Sequence, residues 1–241
     1  MRNVIISGAS RGFGLAIAGR LAADGYRVIA LARQTSPALD AAISTAQRGE
    51  IHFHAADLSD LDQIAGHVRA IKSAFGPLYG LVNNAAASAE GLLTSLSQAQ
   101  IEALVRLNTV SPVLLTKYAL RSMMQQKAGR IVTIASIIAS TGFAGLSVYG
   151  ATKAAMVGFT RSLARDVGKV GITVNAVAPG FAATELTGSM DEAQRMQIAR
   201  RSAMGQLIAP QDVAGAVAFL MSDEAARMTG TVITIDAGAT A

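Results

Sequence analysis

A chain of 241 residues, 51% of them hydrophobic and none of them cysteine, can bury one large core but can form neither a disulfide nor a thiolate metal site. The formal charge of +5 comes with no Trp, with aromatics at 5% and without a dense basic run, so an anionic ligand or an acidic partner is expected before a nucleic acid. No apolar run reaches the ~18 residues of a membrane span, and the first strand begins too early for a secretory leader, so the expected location is the cytoplasm.

Val4 to Ser7 is the first predicted strand. It leads into Ser7-Gly8-Ala9-Ser10-Arg11-Gly12-Phe13-Gly14 and then into an Ala- and Leu-rich helix. Strand, glycine turn and helix in this order form a pyrophosphate cradle, because glycines permit a tight turn and the first N–H groups of the helix attract an anion. The spacing is Gly-x3-Gly-x-Gly instead of the commoner Gly-x-Gly-x2-Gly. Gly8, Ser10, Arg11, Gly12, Phe13 and Gly14 are therefore candidate cofactor contacts.

The second strand, Arg27 to Leu31, ends in Ala30-Leu31-Ala32-Arg33. An NAD site places an Asp or Glu there to accept hydrogen bonds from the ribose hydroxyls. Arg33 in its place, with Arg11 in the glycine loop, offers two guanidinium groups to a 2′-phosphate, so NADP(H) is the expected cofactor. The third strand, Ile51 to Ala55, carries His52 and His54 on one face. With His67 the only other histidine, structural roles are expected and no metal site.

Leu78 to Asn83 is the fourth strand. The longest helical stretch follows, about Ser97 to Gln126, with too many apolar positions for one sheet-facing stripe; Ile101, Leu104, Val105, Val110, Leu115 and Met123 are among them. A subunit interface is expected along it. Lys117 and Arg121, and later Arg161, Arg165 and Lys169, form basic helical stripes that read as solvated faces. The fifth strand runs from Arg130 to Ser136, the sixth from Thr173 to Ala178 and the seventh from Val232 to Asp236. This alternation of strand and helix predicts an α/β fold: one Rossmann-type, doubly wound domain over residues 1–241, with seven parallel strands and helices on both faces.

Between the fifth and sixth strands, Tyr149-Gly150-Ala151-Thr152-Lys153 places a phenol and an amine on one helical face. A phenol titrates near pH ~10, and a neighbouring ammonium would lower that value and make it a usable acid. Taken together, these motifs make the chain resemble the short-chain dehydrogenase/reductase family over essentially its full length. Asn83-Asn84-Ala85 resembles the family's Asn-Asn-Ala-Gly, with Ala86 in place of its glycine; Ser136 precedes Tyr149 by thirteen residues; Pro179-Gly180 with Thr184 resembles its Pro-Gly-x3-Thr.

The resemblance implies catalytic roles for four residues. Ser136 would bond the substrate carbonyl, Tyr149 would deliver the proton, Lys153 would tune the phenol and hold the nicotinamide ribose, and Asn108 would anchor a water relay. It further implies that Asp57 and Leu58 contact adenine, and that Asn83, Pro179, Gly180 and Thr184 contact the cofactor. Within the family the chain looks most like the 3-oxoacyl carrier-protein reductases, in Gly129-Arg130-Ile131-Val132 and in Gly171 to Phe181. That likeness implies a thioester-linked ketone, an acidic acyl carrier protein as a possible partner, and a homotetramer or homodimer. Val170 stands where those enzymes carry a basic residue, while Arg130 keeps the other expected one. Ile137, Ile138, Phe143, Leu146 and Phe181 suggest an apolar pocket suited to an acyl or alicyclic ketone, and Phe181 to Gly205 a lid. A dinucleotide-sensing regulator or a docking scaffold would share the cradle without needing the four catalytic residues.

Overall fold

The computed structural model describes residues 1–182 and 192–241. Seven parallel strands form one sheet in the order β3-β2-β1-β4-β5-β6-β7: β1 Asn3–Ser7, β2 Arg27–Ala32, β3 Glu50–Ala55, β4 Leu78–Asn83, β5 Gly129–Ile134, β6 Ile172–Pro179 and β7 Val232–Ile235. The expected fold is the observed one, and strand ends differ from the sequence reading by one or two residues. Ala135 and Ser136, expected at the end of β5, lie just beyond it.

The central strands are apolar throughout because both faces are covered. Every residue of β1, β4, β5 and β6 is buried, as a parallel sheet between helical layers requires. Alternate residues feed separate cores. Val4 and Ile6 join α1 (Gly12–Ala23) and α9 (Pro210–Met221), packing with Ile17, Leu21, Val213 and Val217. Ile5 joins α3 (Ile64–Phe75), α5 (Ser111–Gln126) and α7 (Ser147–Val167), packing with Ile71, Leu115 and Leu163. The strand order reverses between β1 and β4, which opens a crevice at their carboxyl ends.

The stretch predicted from Ser97 to Gln126 is continuous helix with a widened turn. Ser97 caps α4 (Gln98–Val105) through a reciprocal capping box with Gln100. A π turn over Arg106–Val110 then leads into α5. Pro112 explains the widening: it has no N–H to offer the carbonyl of Asn108, four residues back, so regular α geometry cannot continue. Part of the apolar surface of this helix is exposed, at Val105, Val110 and Met124.

Several expectations are refined by their surroundings. His52 bonds Glu50 at 2.9 Å and tilts against Phe75, while His54 and His67 share a ring-nitrogen contact of 3.0 Å. Both histidines of β3 thus find partners on the α3 side of the sheet. Arg161, Arg165, Lys169, Lys117 and Arg121 are exposed, as expected of solvated stripes. Arg130 is not: it is 6% exposed, donates to the Gly129 and Ser222 carbonyls, and lies 5.7 Å from the Tyr79 ring centroid. The sequence places it where a carrier protein would be met, but the fold buries its guanidinium at the end of the sheet remote from the crevice. Residues 183–191 of the expected lid, Thr184 among them, lie outside the described residues. The rest of that stretch holds α8 (Glu192–Ala199) and turns, and Ala182 forms an isolated parallel bridge with Ile208.

Candidate active site

The crevice holds a cavity of about 790 Å³. Its first wall is the glycine turn. Gly8 has φ +66°, and a Cβ there would come within 2.9 Å of the Ala85 Cα; one on Gly14 would come within 2.3 Å of the Gly8 carbonyl oxygen. Side chains at these positions would push the turn away from the segment after β4 and from its own backbone, so only glycine allows this close packing. Ser7 and Asn84 lock this turn to the end of β4. Ser7 Oγ accepts from the Asn84 and Ala85 N–H groups at 2.9 and 3.0 Å, and Asn84 Nδ2 donates to the Ser7 and Gly8 carbonyls at 2.8 and 3.0 Å.

Arg11, Arg33, Asp57 and Leu58 line the same end of the cavity. The Asp57 carboxylate accepts from the backbone and hydroxyl of Ser59, which hold its pKa below the usual range, with Arg33 adding a smaller pull in the same direction. No carboxylate ends β2, so two guanidinium groups and a phosphate cradle together fit a dinucleotide bearing a 2′-phosphate.

The opposite wall carries the hydroxyls. Ser136, 8% exposed, accepts from the Ile138 N–H at 3.2 Å and shares this wall with Tyr149. Tyr149 and Lys153 project from one face of α7, with the Lys153 Nζ 5.6 Å from the phenol ring centroid. Burial raises the Tyr149 pKa and the nearby Ser136 hydroxyl only partly opposes it, so the expected lowering by Lys153 is not what this geometry produces. The reason is where the ammonium points: Nζ donates to the Ile134 carbonyl at 2.8 Å, and its burial lowers its own pKa from 10.5 to about 8. The phenol is accordingly held protonated at neutral pH, as a proton donor must be.

Asn108 sits in the π turn behind this wall and does not line the cavity. Its side chain clasps the loop after β4, Oδ1 accepting from the Ala87 N–H at 2.9 Å and Nδ2 donating to the Ala87 carbonyl at 2.8 Å, and it also donates to Thr152 Oγ1 at 3.1 Å. The side-chain amide thus makes three hydrogen bonds to protein partners. Ala86 takes an ordinary backbone, since among the described residues only Lys127 and Ala237 combine a side chain with positive φ.

Of the residues singled out from sequence, Gly8, Ser10, Arg11, Gly12, Phe13, Arg33, Asp57, Leu58, Ser136, Tyr149, Lys153, Pro179 and Gly180 line the one cavity. Gly14 and Asn83 lie outside it. The Asn83 side chain is buried against α5, donating to Thr116 Oγ1 at 2.9 Å, because a side chain at the end of β4 must take one sheet face or the other. The sequence reading missed Ser7, Asn84 and Glu90. The doubled Asn83-Asn84 was the available signal: in adjacent strand-end residues, one side chain faces the core and the other the crevice.

The family profile described as Enoyl-(Acyl carrier protein) reductase matches residues 8–240. The 3-oxoacyl-[acyl-carrier-protein] reductase FabG of Escherichia coli K12 is 37% identical over 97% of this chain and 95% of its own length. The MabA reductase of Mycobacterium bovis is 34% identical over 98% and 92%. A solved structure from Beutenbergia cavernae, provisionally described as an NAD(P)-dependent gluconate 5-dehydrogenase with NADP bound at low occupancy, superposes with a TM-score of 0.93 at 31% identity, covering 99% of this chain and 96% of that one.

Proposed function

The chain belongs to the short-chain dehydrogenase/reductase family, and from that premise we propose that it uses NADPH to reduce a 3-oxoacyl thioester to the 3-hydroxyacyl thioester. The observation that carries this reading is the Ser136 and Tyr149 hydroxyls on one wall of a cavity that also presents a phosphate cradle and two guanidinium groups. The FabG and MabA relatives support the thioester.

The dinucleotide, when bound, supplies a hydride to the carbonyl carbon. Gly8, Ser10, Gly12 and Phe13 would hold its pyrophosphate side, Arg11 and Arg33 its 2′-phosphate, Asp57 and Leu58 its adenine, and Pro179 and Gly180 its nicotinamide end. Ser136 donates a hydrogen bond to the ketone oxygen, where negative charge grows. Tyr149 gives up its phenolic proton to that oxygen, leaving a phenolate beside the Lys153 ammonium, and a proton from solvent restores it. Asn108 positions this wall through Ala87 and Thr152. The balance is one ketone, one hydride and one proton to one alcohol.

The buried Arg130 and the uncharged Val170 weaken the case for an acidic carrier protein, although the exposed Lys169 stands one residue before Val170. The thioester is accordingly read as carrier-linked or as a CoA ester. The apolar cluster of Ile137, Ile138 and Leu146 beside Tyr149 and Phe181 favours a second substrate, an alicyclic ketone. No described helix is long and apolar enough to cross a membrane; we place the enzyme in the cytoplasm, as an assembly of identical subunits packed through α4 and α5.

The deciding assay follows NADPH absorbance with acetoacetyl-CoA. Tyr149→Phe is expected to lower kcat by about 10²- to 10⁴-fold with the Kd for NADPH nearly unchanged. Turnover retained in the variant would reject Tyr149 as the acid.

A further inference from the structure

The two ends of the cavity differ in chemistry. Arg11 and Arg33 follow β1 and β2, while the hydroxyls follow β5 and lie on α7. Past Tyr149, Ile137, Ile138 and Leu146 are buried with Phe181 packed against them. Phe143, 41% exposed, brings its ring centroid to 5.1 Å from that of Phe181, the planes tilted by 56°. Tilted aromatic pairs at this distance are mutually attractive and present a firm apolar wall. Phe143 is held in place by its backbone as well as by its ring: the Gly91 N–H donates to the Gly145 carbonyl at 3.0 Å, fastening the loop after β4 to the loop that carries Phe143.

That same bridge places Glu90, an exposed cavity-lining carboxylate, next to the aromatic pair in the chain path. Among the described lining residues the cations are Arg11, Arg33 and Lys153. The first two belong to the dinucleotide end, and Lys153 is 5% exposed with its ammonium on the Ile134 carbonyl. A substrate carboxylate entering beside Phe143 would therefore meet a like charge and no described cation.

We propose that Phe143 and Phe181 form an aromatic clamp that, with Glu90 on the same cavity wall, selects a ketone whose carbon skeleton is an apolar ring or chain and turns away ketones whose skeleton carries a carboxylate. The proposal rests on the ketone-reductase reading and sharpens its substrate class. A polyhydroxy keto acid, the kind of compound implied by the description of the structural relative, does not match this end of the cavity.

Steady-state kinetics with NADPH test it, using wild type, Phe143→Ala and Glu90→Gln against acetoacetyl-CoA, an alkyl-substituted cyclohexanone and 5-ketogluconate. Wild type is expected to show kcat/KM for the cyclohexanone at least ~100-fold above that for the keto acid, because the latter has a buried apolar wall and an unpaired charge against it. Phe143→Ala should lower the ratio of kcat/KM for cyclohexanone over acetoacetyl-CoA by about 10-fold, chiefly through KM. Glu90→Gln should raise kcat/KM for the keto acid by about 3-fold, an effect reduced by added salt. Equal turnover of keto acid and cyclohexanone, or a loss in Phe143→Ala equal for the cyclohexanone and acetoacetyl-CoA, would overturn the clamp. If no ketone is reduced, the reductase reading fails, and calorimetry of the cyclohexanone on NADP-loaded protein decides the clamp alone. Binding weakened about 10-fold by Phe143→Ala supports the proposal, and unchanged binding rejects it.

Discussion

Lys153 shows how one buried side chain can set the working range of a site. Burial holds its pKa near 8, below the usual 10.5, so the ammonium persists below about pH 8 and is lost above it. If the proposed cofactor contact needs the ammonium, bound NADPH favours the charged form and raises that pKa. Affinity for NADPH is then expected to fall by up to about 10-fold between pH 7 and 9, and binding near pH 8.5 should take up protons, seen as calorimetric heats that depend on the buffer. Lys153→Met should abolish both effects. The spacing of Tyr149 and Lys153 was legible because one helical turn decides it. The direction of the phenol's shift was not, since it depends on burial and on a carbonyl from β5 that no local spacing reveals.

At the scale of elements, the strands were legible because buried parallel strands are apolar on both faces and begin and end at glycine turns or helix caps. The π turn was less so: its cause, Pro112, stands in the sequence, but its result, a clasp of Asn108 on Ala87, joins segments 21 residues apart. That clasp carries the loop that leads to Glu90 and Gly91. Asn108→Ala removes three side-chain hydrogen bonds and leaves the Ala87 N–H and carbonyl in need of partners. The expected cost is about 2 kcal/mol of stability, measured by urea unfolding, together with a raised KM for the ketone. An unfolding midpoint equal to wild type would show that Asn108 holds nothing in place.

At the scale of the molecule, topology followed from the sequence but surface roles did not, as Arg130 shows: a basic residue at a strand start reads as solvated until Tyr79 and Asp223 are seen to enclose it. The same gap applies to subunit contacts. Val105, Val110 and Met124 expose apolar area on α4, α5 and the π turn between them, and burying such area is the usual driving force of assembly. Sedimentation velocity at micromolar concentration is expected to show a multiple of the single-chain mass, reduced toward one chain by Val110→Asp combined with Met124→Asp. A wild-type monomer would end the assembly proposal. The anchor of Lys153 also bears on how such a protein can diverge. Its acceptor is a main-chain oxygen in a fully buried strand, which no substitution at position 134 deletes. Lineages can therefore remodel the apolar side chains around the substrate while the cation keeps its address, and novelty in the pocket comes without renegotiating the chemistry of Ser136, Tyr149 and Lys153.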